Sequence, residues 1–239
     1  MNQPDGRSVL EFARDKGLGV LVNRPLNAFY NNQLMRLATV AHPQINLSPS
    51  ELSTAVDKLR EMEIDFQQEL LPGLGPDKEI QQQLGVLLRV GMALDGRWSG
   101  FGSYVNWLEI RDQHLIPRTQ GAVHILSNLP NLPAEHWGWL NDYVTLFNET
   151  ITAIGAIYQD GSATWAGLIQ QMVRRVDEAW LADRLSGTAV RALRSTEGIH
   201  TVLVGMRQKA YVDDILAELS VPIGQQKRIT SWQKLAQGI

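Results

Sequence analysis

The sequence contains no cysteine, which excludes disulfides, thiolate zinc sites, iron–sulfur clusters and cysteine nucleophiles together. Excess charge is missing too: 22 basic residues stand against 25 acidic ones, a formal net charge of −3. So even a balance supplies no global field for nucleic-acid or membrane-surface binding. No apolar run is long enough to cross a bilayer. Met1 to Gly6 holds no basic region ahead of an apolar stretch, so no signal peptide is read there. Gly-x-Gly-x-x-Gly, phosphate-loop and serine-elbow motifs are lacking. None of the five histidines forms the helical i, i+4 pair of a zinc peptidase. These absences predict a cytoplasmic protein with neither a nucleic-acid nor a membrane partner.

What is present is mostly helical. The 239 residues match the typical length of one (β/α)8 barrel, about 250, or of two ordinary domains. Ser8 and Glu11 form a capping-box pattern, Val9, Leu10, Phe12 and Ala13 supply an apolar side, and Gly17 is the natural stop. Gly19 to Asn23 is a short continuous apolar run, the pattern of a strand buried on both faces in a parallel sheet; Arg24-Pro25 ends it. From Tyr30 to about Met172 the reading is almost entirely helical. Ser48-Pro49-Ser50-Glu51 is a second capping box, with Leu52, Val56, Leu59, Met62, Phe66 and Leu70 along one face. Further helices are predicted from Ala134 to Tyr158 and from Ala163 to Leu185, with a break at Asp160-Gly161. Thr201 to Val204 is the second apolar, β-branched run, and Ala210 to Leu219 reads as a helix after it.

Few side-chain constellations rise above structural duty. Glu197 and His200 have the Glu-x-x-His spacing of di-iron bundles, yet Gly198 interrupts them and no second copy exists. Asp57, Glu61 and Asp65 recur at helical spacing among Lys58 and Arg60, which reads as a solvated face. Among the seven tryptophans, Trp137, Trp139, Trp165 and Trp180 fall in segments read as helix and are assigned to packing. The informative places are the two strand ends. Ligands of parallel α/β folds sit at the C-terminal ends of strands, and the loops after the last strands often hold phosphate. Arg24 and Arg207 follow the two strands, and each can grip a phosphate through two parallel N–H donors.

Two stretches resemble one family. Leu10-Glu11-Phe12-Ala13 through Gly19-Val20-Leu21-Val22-Asn23-Arg24-Pro25-Leu26-Asn27-Ala28 resembles the seventh-strand region of the aldo-keto reductases. Glu197 through Val204-Gly205-Met206-Arg207, continuing to Tyr211-Val212-Asp213-Asp214-Ile215-Leu216, resembles that family's eighth strand and following helix. Trp180 to Arg194 resembles the helix pair before that strand. The resemblance implies an α/β, predominantly helical fold: the last two βα units of a TIM (β/α)8 barrel, formed by 1–30 and 172–239, with 31–171 as an α-helical insertion. It implies an NAD(P)-dependent oxidoreductase using NADP or NAD on a carbonyl or sugar-type small molecule, once an N-terminal part completes it. Asn23, Arg24, Pro25 and Leu26 would lie along the cofactor pyrophosphate. Gly205, Met206 and Arg207 would lie near the adenosine ribose, with Arg207 facing a 2′-phosphate. Asp214 would stand where the family usually has an asparagine contacting adenine. Asn23 replaces the aromatic ring that many members set against the nicotinamide. The family's catalytic aspartate, tyrosine, lysine and histidine come from the first four strands, and no residue here matches them. The alternative reading is a non-catalytic, mainly helical interaction or regulatory protein that keeps a relic of the barrel.

Overall fold

A computed structural model of the chain describes residues 9–30, 33–75, 77–130, 132–205 and 209–238. It is predominantly helical with little strand. In chain order come helix α1 (Val9–Asp15) and strands β1 (Leu21–Asn23), β2 (Asn27–Tyr30) and β3 (Gln33–Arg36). Helices α2 (Pro49–Asp65), α3 (Lys78–Leu87), α4 (Val90–Leu94), α5 (Tyr104–Ile110), α6 (Ile116–Ser127) and α7 (Ala134–Val176) follow. Helix α8 (Leu185–Arg194), strand β4 (Thr201–Leu203) and helices α9 (Lys209–Leu219) and α10 (Ile229–Gly238) complete the described elements. The chain divides into two compact units: residues 1–42 with 162–239, and residues 43–161. The divisions fall after His42 and within α7, not after residues 30 and 171.

In the discontinuous unit, β1 and β4 pair in parallel, with Leu21 opposite Thr201, Val22 opposite Val202 and Asn23 opposite Leu203. The pairing is locked at its N-terminal side. The Val20 carbonyl accepts from the N–H groups of His200 and Thr201, at 3.0 and 3.2 Å. The Val20 N–H in turn donates to His200 Nδ1 at 3.1 Å. His200 is therefore part of the strand junction rather than half of a metal-ligand pair. Leu26, Val190 and Ile215 pack together and tie the loop after β1 to α8 and α9. A second cluster joins Ala166, Ile169 and Val173 of α7 to Trp180, Leu185 and Ala192.

The strands are not buried on both faces as their composition predicts. Leu21 is 56% and Leu203 48% exposed, while Val22 and Val202 are half-buried. Strands with pleat period two turn Leu21, Asn23, Thr201 and Leu203 to one face, and the described residues leave that face open. A second departure is the antiparallel hairpin β2–β3, which pairs Asn27 with Arg36 and Phe29 with Leu34; its second strand lies inside the stretch from Tyr30 onward read as helical. Arg36 Nη1 donates to Asn27 Oδ1 at 2.6 Å across the hairpin's open end.

Among the described residues of 43–161 all regular structure is helical. Helix α2 starts as its sequence predicts: Ser48 accepts from the Glu51 N–H, and Glu51 returns the bond to the Ser48 N–H at 2.8 Å. Its apolar face packs with α3 to α7 in one cluster that includes Leu52, Phe66, Leu88, Trp107, Leu126 and Ile154. Trp107 is fully buried between Phe101 and Tyr158, with ring centroids 5.9 and 5.8 Å away. Between α5 and α6 the helix widens into a π turn over Arg111–Leu115. Pro117 accounts for it: proline has no N–H for the carbonyl four residues back, and its ring crowds that carbonyl. The predicted break at Asp160-Gly161 is absent. A mid-helix glycine costs only about 1 kcal/mol, which the long apolar stripe of α7 offsets.

Candidate functional site

The parallel pairing sends the chain out of β1 and β4 at the same edge of the two-stranded sheet. After Asn23 the chain turns sharply. Arg24 takes φ 54°, the left-handed region, the one positive φ at a non-glycine among the described residues. That conformation costs an L-residue about 1–2 kcal/mol. The Arg24 carbonyl accepts from the Asn27 N–H at 3.1 Å, and Leu26 accepts from Leu37 at 2.9 Å. Pro25 and Leu26 are buried, whereas Asn23 and Arg24 are exposed. The loop is thus anchored by its second half and presents its first half outward. The Arg24 guanidinium has no side-chain partner among the described residues.

Asn23, Arg24 and Pro25 line a cavity of about 930 Å³ within the discontinuous unit. Gly205 follows the other strand, and a Cβ there would meet nothing within 4 Å among the described residues. Met206 and Arg207 lie outside the described residues. Asp214 is drawn elsewhere. Its carboxylate accepts from Ser186 Oγ at 2.9 Å and pairs with Arg184 at 2.7 Å. It lines a different cavity, of about 500 Å³, together with Arg174, Arg191 and Glu218. The strand-end residues therefore converge only in part: Asn23, Arg24 and Pro25 share one cavity wall, and Asp214 does not. For a dinucleotide, the exposed, unpartnered Arg24 fits a pyrophosphate oxygen. Asp214 fits an adenine contact only after release from Arg184 and Ser186.

Around Glu218 the same unit buries an ion network that sequence spacing does not announce. Glu218, 3% exposed, accepts from Arg191 Nη2 at 2.7 Å and Arg194 Nη1 at 3.1 Å, joining α8 to α9. Arg228, 7% exposed, pairs with Asp177 and donates to the Ser195 carbonyl. The partners lie 24 to 51 residues apart in the chain, beyond any local pattern. Trp232, too, enters the large cavity's wall from α10.

In the unit of residues 43–161 the chemistry is concentrated at Glu63, which is fully buried. Its carboxylate accepts from the N–H groups of Gly91 and Met92, at 2.7 and 3.1 Å, and from Tyr143 Oη at 2.8 Å. Burial pushes the carboxyl pKa up, against the lowering effect of these donors. Tyr143 is also pushed up, first by burial and then by the neighbouring carboxylate. The arrangement caps the first turn of α4 from α2. Close approach goes with it: a Cβ on Gly91 would lie 2.4 Å from the Arg60 nitrogen.

Among the described residues no group of three or more His, Asp or Glu side chains is disposed to hold a metal ion, and no helix is long and apolar enough to cross a membrane. No protein-family model matches the chain, and no curated protein or solved structure does so either.

Proposed function

We propose that the chain contributes the last two βα units of an aldo-keto-reductase-like (β/α)8 barrel and part of its NADP or NAD site. In this reading residues 43–161 are the core of a helical insertion after the seventh strand, and the substrate is a carbonyl or sugar-type small molecule. One observation carries it: two strands from opposite ends of the sequence, β1 and β4, are hydrogen-bonded neighbours in parallel, each preceded by a helix. The uncovered face of Leu21 and Leu203 supports it further, since a barrel would turn that face onto its other strands.

Asn23 and Arg24 would hold the pyrophosphate. Arg207, by resemblance, would hold a 2′-phosphate when the cofactor is NADP. The cofactor supplies hydride; carbonyl reduction also needs a positioned proton donor. Residues 1–239 hold no counterpart of the family's catalytic acid, so this group and the other six strands would come from a further segment or subunit.

The test is titration of the purified chain with NADPH and NADH, followed by tryptophan fluorescence. Saturable quenching by both is expected. Arg24→Ala should weaken both cofactors about tenfold, and Arg207→Ala should weaken NADPH alone, as loss of one charge-assisted phosphate contact would. Absence of a saturable response removes the cofactor assignment from this chain. The second reading, a non-catalytic helical interaction protein, draws on the closed apolar core of residues 43–161. DNA directly upstream decides between them: an in-frame continuation encoding six strands supports the barrel, and a promoter with a ribosome site supports the second reading.

A further inference from the structure

The cavity of about 930 Å³ is at the upper end of the range of small-molecule sites, roughly 300–1,000 Å³. Its wall is dominated by apolar groups: Val22 of β1, Trp165 and Ile169 of α7, Trp180, and Trp232 and Leu235 of α10. Helix α10 is amphipathic, yet none of its described residues is fully buried. Its Ile229, Trp232 and Leu235 stripe stands half-covered against the cavity. Side chains facing a void forfeit dispersion contacts that an occupant would restore. Among the described residues two charged side chains line the space, Glu11 and Arg24. Arg24 combines the unusual φ with an exposed guanidinium that has no partner among the described residues. Left-handed backbone at a non-glycine residue is strain of the kind that concentrates at ligand clamps.

We propose that this cavity binds a small amphipathic monoanion. A ring or acyl body lies against the half-exposed Trp165 and Trp232, the latter braced by its contact with the buried Trp180, and a carboxylate or sulfonate head takes two parallel N–H bonds from Arg24. The site lies wholly within residues of one unit, and it needs neither a nucleotide nor additional strands. It shares Arg24 with the cofactor reading, but its readout is separate from the NADPH response.

The probe is 1-anilinonaphthalene-8-sulfonate, two aromatic groups carrying one sulfonate, titrated into the full chain. Energy transfer from tryptophan and a stoichiometry of one are expected. Arg24→Gln should weaken the sulfonate dye about tenfold, while the uncharged analogue N-phenyl-1-naphthylamine keeps its affinity. Ala236→Phe and Gln233→Phe fill the cavity from exposed positions of α10 that line it. Each should abolish binding of both dyes, with near-ultraviolet circular dichroism confirming an intact fold. Several dyes per chain, equal loss of both dyes in Arg24→Gln, or unchanged binding in both filling variants of intact fold would each overturn the proposal.

Discussion

The two units solve the same problem by different means. Residues 43–161 enclose one continuous apolar cluster with a single buried carboxylate at a helix start. The discontinuous unit has two small apolar clusters and relies on buried ion pairs at Glu218 and Arg228 to join its helices. A buried pair recovers only part of the cost of desolvating its charges, so it fixes geometry more effectively than it adds stability. The unit with candidate ligand residues is thus the one positioned by charge, and the unit without them is the one packed like an ordinary core.

The largest expected effect is in the apolar unit. Trp107→Ala should cost about 3–5 kcal/mol, read by hydrogen exchange of amides in 43–161. A loss below about 1 kcal/mol would mean that this core is not close-packed around Trp107. Next, Glu218→Ala should cost about 3 kcal/mol, because Arg191 and Arg194 lose their partner, whereas replacing all three by apolar residues should come near neutral. Urea unfolding followed at Trp180 reads both, and a harmless Glu218→Ala would erase the contrast between the units.

Glu63 gives a smaller, pH-dependent effect. Burial holds its folded-state pKa above the unfolded value of about 4.3. Its contribution is therefore full below about pH 4.3 and is lost as pH rises through the higher folded-state value. Glu63→Gln should remove that component of the pH dependence at a cost of about 1–2 kcal/mol at low pH. An unchanged pH profile in denaturant midpoints would contradict the assignment. Smallest of all is Leu21→Lys: on the open strand face it should change stability of this chain by less than about 0.5 kcal/mol. A large loss would reveal that something already covers the face.

Local features were legible in the sequence, and distant ones were not. Ser48, Pro49 and Glu51 specify the start of α2 within four residues, and the structure has the cap they predict. The strand positions at Leu21–Asn23 and Thr201–Leu203 follow from short apolar runs. Their open face does not, because composition reports apolarity and not what stands opposite. The hairpin from Asn27 to Arg36 was not legible because its sequence has none of the glycine-containing pairs that mark two-residue hairpin turns, and its second strand falls at the start of a stretch of helical periodicity. Asp160-Gly161 misled in the other direction, a local turn preference outweighed by flanking packing. Of the candidate site, Arg24 was found from its place after a strand. The diversion of Asp214 to Arg184 depends on a fold-level juxtaposition that no spacing rule contains.

The parallel pairing of β1 with β4 also sets a timetable. Val20 and His200, which clasp at the start of the pair, are separated by 180 positions. At a synthesis rate of about 5–20 residues per second, the first strand waits roughly ten to forty seconds for its partner. Throughout that interval β1 is an unpaired apolar segment on a growing chain, open to mispairing. Early folding of residues 43–161 would shorten the unstructured tether and lower the entropy of closing it.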